Sequence, residues 1–354
     1  MRQSEQPLIA LTMGDAAGIG PEVLVRAAVD AQVRELAVPV AVAHPEVLRR
    51  TAAMLDLPLE VVEVEAPDQF RKASCEESRL ACWVPPWKPA ADEVLDVPLG
   101  EIHAATGKAA YECLVTAAQA ALSGQVDAVT TAPLNKAALR AAGLDYPGHT
   151  EILGEVCGVA NFGMMLYLPQ DEIVKSPRGL GVVHTTLHTS IRSVPEQLSP
   201  EVIAEKIELM DGFMKQLGCE TPRVAVCALN PHAGEDGLFG DEESQLIQPA
   251  VEAAQSADMN ATGPLPADTL LRRAVLGEFD GVVAMYHDQG HIALKLIGFD
   301  RAVNITLGLP IVRTSPSHGT GFDIAGKGEA SPEGMIAAIR VAAQLACGPV
   351  AETG

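Results

Sequence analysis

The sequence predicts an α/β fold built on a mainly parallel sheet. Short apolar runs alternate repeatedly with helical stretches along the chain. Strands separated by helices are joined by right-handed crossovers, which set neighbouring strands parallel. The composition agrees: 48% of the residues are apolar but only 4% are aromatic. Small side chains let helices lie close on a sheet.

Residues 7–13 (PLIALTM) read as the first strand, followed by a glycine turn. Pro21 stands where a first helical position should be, ahead of EVLVRAAV, because its missing N–H costs nothing there. Residues 107–123 place small apolar side chains at helical spacing, and Gly124 ends them. VDAVTTAP at 126–133 is the next strand. Ser199-Pro200-Glu201 opens a helix that Gly218 stops. RVAVCALN at 223–230, GVVAMY at 281–286 and AVNITLG at 302–308 are further strands, and Ser331-Pro332-Glu333 opens the last helix. Residues 60–100, rich in Pro, Glu and Asp, read as an irregular excursion. A chain of 354 residues is expected to form two lobes with a cleft between them. Ligands of such folds bind at the carboxyl ends of strands.

Charge and composition exclude several classes. A net charge of −21 leaves no basic face for nucleic acid or an anionic membrane. A few local Lys, Arg and His can still reverse the field around a small anion. No apolar run reaches the length that crosses a bilayer. The N-terminal residues read as a short tail entering a strand, not as a signal peptide. Seven cysteines, an odd number with no CxxC pair, fit a reduced cytoplasmic protein.

Three polar clusters follow predicted strands: VVHTTLHTSIR at 182–192, LNPHAGEDGLFG at 229–240 and MYHDQGHIALK at 285–295. Each puts a histidine just beyond an apolar run, so His188, His232 and His287 are candidate ligands for one divalent ion. Singly, each reads equally as a hydrogen-bonding loop residue. Lys295 and Arg313 lie in glycine-flanked apolar segments and are candidate phosphate ligands; the alternative is ordinary surface charge. The turn Gly14-Asp15-Ala16-Ala17-Gly18-Ile19-Gly20 follows a strand and opens a helix, as a phosphate loop does. Its spacing is not G-x-G-x-x-G, and a tight turn for close helix packing explains it as well.

Eight segments together resemble the 4-hydroxythreonine-4-phosphate dehydrogenase family. They are TMGDAAGIGPEV (12–23), TTAPLNKAAL (130–139), PGHTEIL (147–153), LNPHAGE (229–235), GPLPADTL (263–270), YHDQG (286–290), VNITLGLPIVRTS (303–315) and HGTGFDIAGKG (318–328). The resemblance implies a two-lobed α/β/α fold like that of isocitrate and isopropylmalate dehydrogenases. Its lobes are residues 1–145 with 318–354, on the cofactor side, and residues 146–317, which carry metal, substrate and dimer contacts. It implies a homodimer with the active site at the subunit interface.

Carried over, the resemblance makes His188, His232 and His287 the metal ligands. His188 is preferred over His184 because it precedes Arg192 by four residues, as in the family's His-x-x-x-Arg stretch. His149, Thr150, Lys295, Asn304 and Arg313 become substrate and phosphate ligands, Asp268 lies near the reacting carbons, and Lys295 or Asp268 moves protons. The dinucleotide, NAD or NADP, is placed near His318, Gly319 and Asp323. The ion is zinc, cobalt, manganese or magnesium. The implied reaction oxidises and decarboxylates 4-hydroxythreonine 4-phosphate to 3-amino-1-hydroxyacetone 1-phosphate, on the pyridoxal phosphate pathway. Two departures stand out: Ala16 replaces the family's usual Pro, and His291 replaces an apolar residue after YHDQG. His291 resembles the branch of the family acting on D-threonate or D-erythronate 4-phosphate. Outside this class, phosphate-dependent acyl transfer and a non-catalytic sensor of a phosphorylated ligand remain alternatives.

Overall fold

A computed structural model describes residues 5–86 and 91–348. Twelve strands follow in chain order: β1 (Leu8–Thr12), β2 (Val38–Val42), β3 (Glu60–Val64), β4 (Arg79–Trp83), β5 (Ala128–Thr131), β6 (Gly163–Leu168), β7 (Leu180–His184), β8 (Val224–Cys227), β9 (Ala261–Leu265), β10 (Gly281–Ala284), β11 (Val303–Leu307) and β12 (Arg313–Pro316). The described residues divide into two compact units, 5–160 with 309–347, and 161–308. The helix His149–Cys157 and β12 fall in the first of these units.

In the first unit the strand order is β3-β4-β2-β1-β5-β12, and the described pairings are parallel. β1 is buried along its whole length, as a central strand covered on both faces must be. Residues 60–86 are not the irregular excursion expected, and 87–90 of that stretch lie outside the described residues. The former supply β3 and β4, which pair in register from Glu60↔Arg79 to Val64↔Trp83. β3 lies at the end of the strand order and exposes Glu60 and Glu63, whose charges protect that edge from pairing with other chains.

In the second unit the order is β11-β6-β7-β10-β8-β9. β6 runs antiparallel to both β7 and β11, an exception to the expected parallel arrangement. The pairings among β7, β10, β8 and β9 are parallel, so the carboxyl ends of β7, β8 and β10 share one side of the sheet. The predicted punctuation operates locally. Ser199 accepts the Val202 N–H at 3.3 Å and caps the helix Pro200–Gln216. Gly218 follows it with φ +85°.

The amino-terminal side of this second sheet is fastened by one buried carboxylate. Asp280, immediately before β10, accepts hydrogen bonds from the Arg223 backbone N–H (3.0 Å), Arg223 Nε (3.0 Å) and Nη2 (2.8 Å), and Ser176 Oγ (3.0 Å). Burial alone would raise its pKa, but these donors outweigh burial and hold the carboxyl below its ordinary range. The folded carboxyl thus titrates lower than the unfolded one. Its stabilising contribution is complete above the ordinary carboxylate range and is lost as pH falls through the depressed value. Arg223→Ala strands this carboxylate and is expected to cost about 3 kcal/mol. Asp280→Asn leaves a half-exposed guanidinium that water can solvate, and costs less, about 1–2 kcal/mol. Urea unfolding at neutral pH measures the order of the two, and equal losses would contradict it.

Candidate active site

The site of the second unit grows from the ends of β7 and β10 and the helix His287–Gly298. Gln289 fixes the start of that helix. Its Oε1 accepts from Met285 N–H and its Nε2 donates to the Ala228 carbonyl, both at 2.7 Å. Gly290 then lets the helix lie directly on β7. A Cβ there would sit 2.6 Å from His184 Nε2 and 2.7 Å from Val182 Cγ1, closer than packed atoms tolerate.

That close approach gathers four imidazoles. The His188 and His287 ring centroids are 5.9 Å apart. His291 stacks on His287 at 3.8 Å with an interplanar angle of 11°. His184 lies 4.6 Å from His291, and its Nε2 is 3.0 Å from His291 Nδ1. The Asp288 carboxylate lies 2.7 Å from His287 Nδ1, so that nitrogen is assigned as the donor and His287 Nε2 keeps its lone pair. Burial pushes the pKa of His184 down to about 4 and that of His291 down to about 3, the neighbouring rings adding to the effect at each. Both are therefore neutral at physiological pH. His188, Ser190, Tyr286, His287 and Asp288 line a cavity of ≈ 350 Å³.

His232 does not join them. Among the described residues no group of three or more His, Cys, Asp or Glu is arranged to hold a metal ion, so the three expected ligands do not assemble within one chain. His232 is exposed on a loop held in unusual backbone geometry: His232, Ala233, Glu235 and Asp236 all have positive φ, between 46° and 54°. Such strain needs an anchor, and Glu243 provides it. Its Oε1 accepts from the Leu229 (2.9 Å) and Asn230 (2.7 Å) N–H groups, and its Oε2 accepts from Asn230 Nδ2 (3.0 Å).

The remaining candidates divide between the units. In the second unit, Lys295 is half-buried, with its Nζ 5.7 Å from the Phe299 ring. It lies on the same helical stripe as His287 and His291, at steps of four residues. Asn304 Oδ1 is buried without a hydrogen-bond partner. Asp268 is exposed, and its Oδ1 accepts from Thr269 N–H at 2.9 Å.

In the first unit, Arg313 is 2% exposed and donates from Nη2 to Thr131 Oγ1 at 2.6 Å. Burial lowers its pKa to about 10, with Glu151 opposing the shift. His149 is held well below the ordinary histidine range by burial and by the Arg313 and Lys136 charges. Thr150 is its half-buried neighbour. His318 Nδ1 contacts the Gly319 carbonyl at 3.0 Å, and its Nε2 is buried without a partner. Gly319 and Asp323 are exposed.

The glycine turn acts as a docking element for neighbouring segments. Gly14 has φ +65°, and a Cβ there would meet the Pro133 carbonyl at 2.2 Å. Four of the turn's amides are bonded internally: Asp15 N–H to the Pro133 carbonyl, Ala17 N–H to Asp15 Oδ1, Gly18 N–H to the Asp15 carbonyl and Ile19 N–H to the Thr320 carbonyl. Glu22 Oε1 accepts from Gly326 N–H at 2.6 Å, and Arg26 Nη2 donates to the Gly328 carbonyl at 2.6 Å. The segment 318–328 is thus fastened to the turn and its helix.

Three residues of this cluster were not among the expected ligands: His184, His291 and Asp288. A period-four count along 287, 291 and 295 was the available signal for His291. His184 and His188 flank the same strand end and differ only in register.

Residues 35–342 match the family model of pyridoxal phosphate biosynthetic protein PdxA. The chain is 41% identical over 347 residues to D-threonate 4-phosphate dehydrogenase of Pectobacterium atrosepticum, covering 96% of this chain and 99% of that one. It is also 41% identical over 341 residues to 4-hydroxythreonine-4-phosphate dehydrogenase of Geobacter metallireducens, covering 96% of each. A crystal structure of 4-hydroxythreonine-4-phosphate dehydrogenase from Klebsiella pneumoniae superposes with a TM-score of 0.83 at 40% identity, covering 97% of this chain and 99% of that one. The family model and these relatives agree, and the chain belongs to the PdxA family.

Proposed function

We propose that this chain catalyses the NAD- or NADP-linked oxidation of a phosphorylated four-carbon hydroxy acid, with decarboxylation, beside a divalent ion. The observation that carries the reading is the His188–His287 pair at the strand ends, with Asp288 setting the His287 tautomer. The donor set fits an ion: His287 presents an Nε2 lone pair beside His188, and a carboxylate orients it from behind. Imidazole nitrogens suit zinc or another transition ion better than magnesium. The third ligand is His232 of the partner subunit in a homodimer. Two features support that arrangement. His232 projects on a strained, exposed loop that also exposes Leu238 (71%) and Phe239 (49%). The helix His287–Gly298 and its C-cap likewise expose Ile292, Leu296 and Phe299, an apolar stripe of the kind that marks an interface.

The bound ion would supply Lewis acidity at the substrate's oxygens and the dinucleotide the hydride acceptor. The β-keto acid formed then loses its carboxylate as carbon dioxide. Asn304, with its unmet buried acceptor, receives a hydrogen bond from the substrate. His149, Thr150 and Arg313 hold the phosphate in the first unit, and His318, Gly319 and Asp323 contact the dinucleotide there. Lys295 is the better-placed proton carrier, since it is half-buried on the histidine stripe, and exposed Asp268 is the alternative. A family of dehydrogenases named for 4-hydroxythreonine 4-phosphate makes that the first substrate. D-Threonate 4-phosphate is the second reading, favoured by His291 and by the D-threonate 4-phosphate dehydrogenases among the relatives. Seven free thiols suit the cytoplasm.

Absorbance at 340 nm tests the reaction. NAD or NADP should be reduced with one of these two substrates, and chelation followed by zinc or cobalt should abolish and restore the rate. No reduction with either substrate and either dinucleotide, in metal-replete protein, would sink the proposal. Lys295→Ala should lower kcat by about 10²–10⁴-fold with a smaller change in KM. Unchanged kcat would transfer the proton role elsewhere.

A further inference from the structure

Two of the four imidazoles are not needed as ligands, yet they are buried and bonded to each other. His184 is 1% and His291 7% exposed. His184 Nδ1 lies 3.3 Å from the Met164 carbonyl, which can only accept, so that nitrogen carries the proton. Neutral His184 then has only a lone pair at Nε2. His291 Nδ1, 3.0 Å away, must therefore be the donor. One carbonyl on β6 thus dictates the tautomers of two rings in succession. The second ring lies flat against His287, whose own Nδ1 is tied to Asp288. Neither His184 nor His291 can flip without leaving a buried nitrogen unpaired, which costs about 1–3 kcal/mol.

From this we infer that Met164 C=O, His184 and His291 form a positioning relay that holds the His287 ring in its ligating orientation. His291 supplies the wall against which His287 stacks, and His184 fixes His291. Gly290 permits the relay by letting the helix approach β7. His184 and His291 are positioning residues, not ligands. The inference rests on the proposed metal site, but its tautomer claim stands on the apo protein alone.

Two measurements on the full chain test it. Long-range ¹H–¹⁵N spectra of the metal-free wild type should show both His184 and His291 as neutral Nδ1–H tautomers, the form less favoured for histidine in water. Either ring found as Nε2–H overturns the relay, whether or not the protein binds metal. Cobalt(II) titration of the chelated protein, followed by its visible absorption, reads the consequence. His291→Leu and His184→Leu should each weaken Co²⁺ binding by about 10–100-fold and alter the band shape. His184→Gln, which keeps a donor and an acceptor, should recover part of the affinity. A folded His291→Leu protein with wild-type affinity and spectrum would overturn the inference. A wild type that binds no Co²⁺ would instead defeat the metal reading of the site and leave the spectra to decide the relay.

Discussion

The second unit depends on how closely one helix lies on one strand. Gly290 faces His184 and Val182 with no room for a methyl group, and Gln289 pins the helix start to the ends of β8 and β10. Everything chemical follows from that contact. The helix delivers His287, His291 and Lys295 along one stripe, while β7 delivers His184 and, just past its end, His188. Dense packing makes such an arrangement bistable at best, so the side chains have little freedom once the backbone is set. The opposite side of the sheet is held by Asp280 and Arg223. Stability at the amino ends of the strands and chemistry at their carboxyl ends is the division expected of parallel α/β sheets.

Electrostatics shape the site as much as sterics do. The chain carries a net charge of −21, yet its candidate substrate ligands are imidazoles, one lysine, one arginine and neutral polar groups. Burial keeps His184 and His291 uncharged, so these two rings place no positive charge beside the candidate ion position. In the first unit, Arg313 and His149 keep an anion-attracting charge and a neutral imidazole side by side. Four amides of the glycine turn, those of Asp15, Ala17, Gly18 and Ile19, are already bonded within the fold. The turn acts through Ile19, Glu22 and Arg26, which hold the 318–328 segment in place.

Much of the fold was legible because its signals are local. Pro21, Ser199 and Gly218 mark helix ends by the same hydrogen-bonding and φ requirements seen in the structure. β3 and β4 were not legible. They are five-residue strands between acidic and proline-rich connections, and their stability comes from pairing with distant strands, not from local pattern. The antiparallel β6 was hidden for the same reason. At the site, strand-end histidines were readable as a class, but register decides which of them face each other. His232 illustrates the limit: its place just beyond an apolar run suggested a third ligand, whereas it lies on a strained, exposed loop and joins no three-ligand group among the described residues.

The central claim is that His188 and His287 hold a divalent ion, with the third imidazole supplied by a second copy. Anomalous diffraction from crystals grown with zinc or cobalt tests it most directly. The account predicts a peak about 2.0–2.1 Å from Nε2 of His287 and a ring nitrogen of His188, with His232 of the partner subunit completing the shell. A fully occupied peak elsewhere, or a His188–His287 pair that stays empty at saturating metal, would contradict it.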